Sequence, residues 1–208
     1  MRVDLRAAGV PLVGRVSDVW PRGLLAYGCD PLAARDEVAL MVRYLALTAM
    51  DDGFTGIAHF VGWNDNKHAP EPKDLKLFAP ALSDRRRAAL ELLTKMMAWY
   101  RVGQTRPLPF FPRMSLAYAN VLAGHVGKSH TVETALDKAR KEWRFWFAEQ
   151  RHGEGSDAHL ALVWGDDPPV DSLNTLLGDV LPDGCDFESL AKAIWLPFLQ
   201  SETKENDS

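Results

Sequence analysis

Residues 14 to 27, GRVSDVWPRGLLAY, constrain the fold of this chain more than any other stretch. Val13, Val16 and Val19, with Leu12, form one apolar limb; Leu24, Leu25 and Tyr27 form the other; Pro21, Arg22 and Gly23 supply the turn between them. Apolar, β-branched limbs around Pro and Gly predict a hairpin. A helix follows at once, because from Ala33 to Met50 the apolar positions Val38, Met41, Val42, Leu45 and Ala49 recur at spacings of three and four. Asp30 is its expected cap, and Asp51-Asp52-Gly53 its stop. Upstream, Val3, Leu5, Val10 and Leu12 alternate around Ala8-Gly9, so residues 2 to 8 and 10 to 20 are expected to pair antiparallel, with residues 22 to 28 as a third strand. A chain that opens directly in a strand is expected to be an excised domain of a longer subunit.

Residues 55 to 62, TGIAHFVG, form the next predicted strand, with residues 73 to 78 as its partner. His59 in that strand is expected to be a hydrogen-bonded core or edge residue rather than a ligand. Ser83-Asp84 opens a helix to Gly103, with Ala89, Leu92, Leu93, Met96, Met97 and Tyr100 on its buried stripe. Arg85, Arg86 and Arg87 sit in its first turn, where cations oppose the helix dipole; they suit a carboxylate or phosphate partner, or a solvated face. The prolines of PLPFFPR, residues 107 to 113, predict an extended segment presenting Phe110 and Phe111 to different sides. Helices are expected over 115–123 and 132–150, the second burying Leu136, Ala139, Trp143 and Phe147, with Lys138, Lys141 and Arg144 off that stripe among Asp137 and Glu142. Two closing helices, near 173–181 and 187–199, take Asp171 and Asp186 as caps. Residues 1–200 are read as one domain and 201–208 as a disordered tail.

Composition narrows the function classes. With 208 residues, 47% of them hydrophobic, folding can bury about 70% of the unfolded chain's surface. The net charge of −4 argues against a broad nucleic-acid clamp but leaves room for a local basic patch. Cys29 and Cys185, far apart, support neither a disulfide framework nor a thiolate metal site and fit a reducing cytoplasm. No apolar run reaches the roughly 18 residues of a membrane span, so no membrane partner is expected.

Recognisable catalytic motifs are missing. There is no G-x-S-x-G elbow and no H-E-x-x-H, and the glycine-rich loop HGEGSD, residues 152 to 157, lacks the GxxxxGK[ST] pattern of a phosphate loop.

Several separated stretches, in order, nevertheless resemble one family. LVGRVSDVWPRGLLAY with ARDEVALMVRYLALTA, then WYRVG, PLPFFPR and MSLAYA, then KARKEWRF and HGEGSDAHLALVWGDD are similar to the C-terminal part of the exodeoxyribonuclease V gamma subunit, RecC. The resemblance runs over roughly residues 2 to 199. It implies an α/β (α+β) fold with a PD-(D/E)xK restriction-endonuclease-like core: a mixed sheet opened by an antiparallel hairpin, flanked by helices and followed by a helical C-terminal part. Active members of that fold carry Asp in the hairpin and D-Y-K at the end of the next strand, because carboxylate oxygens hold the hard Mg²⁺ and Lys orients the attacking water.

Laid onto this chain, Gly14, Arg15 and Val16 keep the lead of the hairpin, but Ser17 stands for the metal-binding Asp, and Ala26 and Gly28 stand for the second Asp and the Lys around a retained Tyr27. Asp18 is one residue out of place, which on a strand directs it to the opposite face. The resemblance therefore implies a non-catalytic domain with no cofactor and no metal of its own, any Mg²⁺ belonging to the parent exodeoxyribonuclease V. It also implies RecB-type and RecD-type subunits as partners, and double-stranded DNA ends reached through their helicase-nuclease complex. Arg85, Arg86, Arg87, Phe110, Phe111, Lys141 and Arg144 are the candidate DNA or partner contacts, with Trp20 as a further candidate contact aromatic; for Phe110, Phe111 and Trp20 alike, core packing is the competing and favoured use. Two alternatives compete: an active Mg-dependent nuclease with a migrated site of Asp18, Asp30 and Glu37, or an unrelated adapter domain.

Overall fold

A computed structural model describes residues 1–7, 9–21, 23–28, 33–50, 54, 57–64, 68–75, 82–127, 129–144, 153–165 and 183–199. The chain divides into two compact units, Met1–Tyr100 and Arg101–Asp207. Together the described residues form a mixed α and β structure of two sheets and six α-helices, in the α+β class.

The first unit opens with β1 (Arg2–Ala7) and β2 (Val10–Arg15), antiparallel from Arg2↔Arg15 to Ala7↔Val10. Gly9, at φ +73°, supplies the left-handed residue that such a tight loop needs. The predicted third strand forms, but in another sheet. Asp18 takes φ +58°, a conformation a short polar side chain tolerates, and this bend ends the first ribbon. Strands β3 (Val19–Trp20) and β4 (Gly23–Tyr27) then make a short hairpin paired Val19↔Leu24 and Trp20↔Gly23. Asp18 thus sits in a left-handed bend, not on a strand face.

Helix α1 (Ala34–Met50) is the crossover that brings β5 (Ile57–Asn64) parallel to β4, and β6 (Ala69–Leu75) pairs antiparallel with β5, giving the order β3-β4-β5-β6. Side chains alternate across this sheet: Leu24, Ala58 and Phe60 are buried, and α1 lies against β1 and β5 with Leu40, Met41, Tyr44 and Leu45 buried. Gly23 is required where β4 begins, since a Cβ there would stand 2.0 Å from the Ile57 carbonyl oxygen. Helix α2 (Leu82–Gly103) buries Ala89, Leu92 and Leu93 as its spacing predicts, but Tyr100 is 59% exposed.

The second unit is helical: α3 (Pro112–Leu122), α4 (Val132–Trp143), a 3₁₀ turn (Glu154–Ser156), α5 (Ala158–Trp164) and α6 (Phe187–Leu199). Pro112 does not exclude helix; it occupies the first helical position of α3, where the missing N–H costs nothing. Helix α4 ends at Trp143 because Arg144 is extended, ψ 150°, which is shorter than the periodicity predicts. Its buried stripe is Ala135, Ala139 and Trp143. Asp186 caps α6, accepting from the Ser189 amide at 2.9 Å. The expected cap Asp30, the stop at residues 51–53, residues 145–150 with Phe147, the segment 171–181 and the tail 201–208 lie outside the described residues.

The glycine-rich loop has a packing role. A Cβ on Gly153 would stand 2.2 Å from the Trp143 carbonyl oxygen, and one on Gly155 2.4 Å from Trp143 Nε1. This close approach aims Glu154 at the start of α3, where Phe111 provides no side-chain cap. Its carboxylate accepts from the Arg113 amide at 3.0 Å and the Met114 amide at 2.8 Å. Burial pushes the Glu154 pKa above the ordinary 4.5, outweighing those two amide bonds and the Arg113 charge. A folded-state pKa above the unfolded one means that protonation of Glu154 stabilises fully below the unfolded value, and that this contribution is lost as pH rises through the raised one. Glu154→Gln is therefore expected to remove one declining component from the urea-midpoint profile above pH 4.5. A difference between wild type and variant that does not change with pH contradicts this assignment.

Candidate functional site

The end of the hairpin opens on a cleft. Strand β4 finishes at Tyr27, and the Gly28 amide continues its pairing by donating to the Val61 carbonyl at 3.0 Å. Beyond that edge lies a cleft of about 330 Å³ lined by Ala26, Tyr27, Gly28 and Phe60 from the sheet and by Arg35, Asp36, Ala39, Leu40 and Arg43 from α1. Ala26 and Gly28, two of the three positions that the sequence resemblance sets against a nuclease's carboxylates and lysine, both line this cleft. Ser17, exposed in the bend before β3, is outside the described lining.

The charge of the cleft is set by α1. Arg35, Ala39 and Arg43 follow one another at four-residue spacing on one helix face. Asp36 is the one carboxylate of the described lining, and it faces the start of its own helix, accepting from the Ala33 amide at 3.4 Å with Arg35 Nε 3.8 Å away. Arg43 has no carboxylate partner among the described residues. Two guanidinium groups and a single carboxylate do not fit a hard divalent cation, which needs several oxygen ligands. Among the described residues no group of three or more His, Cys, Asp or Glu is placed to hold a metal ion.

Glu37, the residue after Asp36 on α1, is engaged elsewhere. It is buried, and Lys73 of β6 donates to its Oε2 at 2.7 Å. Lys73, Phe60 and Ala26 are cross-strand neighbours in one row of the sheet, so this ion pair stands on the same face as the cleft. His59 Nδ1 donates to the Asp74 carboxylate at 2.6 Å across β5 and β6, so it is hydrogen-bonded as expected of it.

The other candidate contacts fall into separate groups. Arg86 donates from Nε to the Ala49 carbonyl at 3.1 Å, near the C-terminus of α1, where a cation complements the helix dipole. Arg87 pairs with Asp84 at 3.0 Å and Glu91 at 3.9 Å on its own helix, while the buried Nε of Arg85 meets no hydrogen-bond partner among the described residues. In the second unit, Lys141 and Arg144 are exposed at the end of α4. Phe110 is half-buried, whereas Phe111 is 1% exposed and central to the core, with ring centroids 5.0 Å from Trp143 and 5.5 Å from Trp164. Phe111 therefore acts in packing and offers no contact surface. Trp20, at 61% exposed, takes the opposite environment.

Among the described residues no helix is long and apolar enough to cross a membrane. The sequence model of the RecC C-terminal domain matches residues 1–123. Comparison with curated proteins gives no match.

Proposed function

The chain belongs to the RecC C-terminal domain family, and on that premise we propose that it is the non-catalytic, nuclease-like domain of a RecC-type subunit, working by contact with protein and DNA inside a RecB-RecC-RecD helicase-nuclease. The observation that carries this reading is the lining of the cleft at the end of β4: Ala26 and Gly28 stand beside Arg35 and Arg43, where a metal-dependent nuclease needs carboxylates and a lysine. The migrated-site alternative is weakened by two further observations. Asp18 lies outside the described lining of the cleft, and Glu37 is held in its buried pair with Lys73. In this reading the domain supports subunit assembly and DNA handling in double-strand break repair, and the chemistry of strand cleavage resides in the partner subunits of exodeoxyribonuclease V.

The test is an assay on linear DNA with Mg²⁺ or Mn²⁺, run beside Asp18→Ala. Intact DNA with both proteins is the expected result. Metal-dependent cleavage that disappears in Asp18→Ala overturns the proposal.

A further inference from the structure

The cleft that lacks metal ligands has the chemistry of an anion site. Arg35 and Arg43 rise from one face of α1 with their Cα atoms roughly 12 Å apart along the axis, and Ala39 between them leaves a notch. Arginine side chains are long enough for both heads to converge on a group seated over that notch. The sheet side is the end of β4, where Ala26 and Gly28 carry almost no side chain on either side of Tyr27, with Phe60 of β5 lining the cleft beside them. Asp36 is turned toward the Ala33 amide, so its charge is partly spent on the helix start.

We propose that this cleft binds a phosphate group, held by Arg35 and Arg43. A planar guanidinium presents paired donors that match the oxygens of a phosphate, and two of them flanking a concave notch supply charge and orientation together. The phosphate can come from a nucleic-acid backbone or from a free anion. Neither source requires the cleft to cut anything, so the proposal stands independently of whether the domain is a nuclease.

Calorimetric titration of the full chain tests it, with inorganic pyrophosphate, a single-stranded oligonucleotide and the matching duplex as probes. Arg35→Ala/Arg43→Ala is expected to weaken the phosphate-bearing probe that wild type binds by about tenfold or more. Arg43→Lys should fall between, since it keeps the charge and loses the fork. Ala26→Leu, which fills the notch from the sheet side, should weaken binding without changing charge. Arg2→Ala, which removes an exposed cation beside Asp4 on β1 and away from the lining of the cleft, should leave binding unchanged, and circular dichroism confirms that each variant is folded. Tighter, salt-dependent binding of an oligonucleotide assigns the site to a nucleic-acid backbone, whereas comparable binding of pyrophosphate assigns it to a free anion; both support the proposal. It is overturned if wild type binds none of the three probes at millimolar concentration, or if the double variant binds as wild type does.

Discussion

Phe111→Ala is expected to destabilise the second unit by about 3–5 kcal/mol, the cost of deleting a fully enclosed aromatic ring and leaving a cavity. Phe111 is 1% exposed and makes edge contacts with Trp143 at 5.0 Å and Trp164 at 5.5 Å, with Phe187 at 6.4 Å on a third side. Those rings come from α4, α5 and α6, so one truncation loosens every described helix that packs beside α3. The expected loss is a large share of the roughly 5–15 kcal/mol that holds a typical domain together. Urea unfolding followed by tryptophan fluorescence measures it, because Trp143 and Trp164 report on this core directly. Phe110→Ala provides the comparison: its ring is half-buried and should cost less than half as much. Equal losses from the two adjacent phenylalanines contradict the packing described for Phe111.

Lys73→Met is expected to cost the first unit about 3 kcal/mol, because it takes the Lys73 ammonium away from a carboxylate that is buried. The side chain of Glu37 is 5% exposed and that of Lys73 38%, so the carboxylate carries the burial while the ammonium retains some water. This asymmetry makes loss of the lysine more damaging than neutralisation of the acid. Glu37→Gln should cost less, and adding it to Lys73→Met should restore part of what Lys73→Met loses. A double-mutant cycle on unfolding free energies isolates that coupling. Strict additivity contradicts a direct pair, and it would release Glu37 for the migrated-metal alternative.

Local patterning made much of the fold legible. Strand alternation located β1, β2, β4 and β5, three-and-four spacing located α1 and α2, and Asp186 was identifiable as a cap from its position before an apolar run. The division into two sheets was hidden because Asp at position 18 fits an extended strand and a left-handed bend equally well in sequence. Only pairing of β4 with β5 shows which conformation holds. Tyr100 followed the buried spacing of α2 yet is exposed, since periodicity gives a direction on the helix and not how far a neighbour extends along it. Trp143 ends α4 early, and the signal was present in Gly153 and Gly155, whose missing side chains admit the tryptophan; their spacing alone resembled a loop for a ligand.

The candidate site was legible only through resemblance. Ser17, Ala26 and Gly28 were picked out by setting the family's pattern on the hairpin, and Ala26 and Gly28 line the cleft. Arg35 and Arg43 were missed because their spacing on an exposed helix face is also what an ordinary solvated surface shows. The usable clue was the pairing of that arginine-alanine-arginine row with a strand end that sets Ala26 and Gly28 on either side of Tyr27. Glu154 escaped notice for a different reason: its function as the cap of α3 depends on residues about forty positions away.

Co-purification of the full chain with a RecD-type subunit, in the presence and absence of a RecB-type subunit, tests the central claim most directly. A domain that works by contact should form a complex stable at micromolar concentration while leaving linear DNA intact in Mg²⁺. Failure to associate with either subunit, together with metal-dependent cleavage by the chain alone, would contradict it.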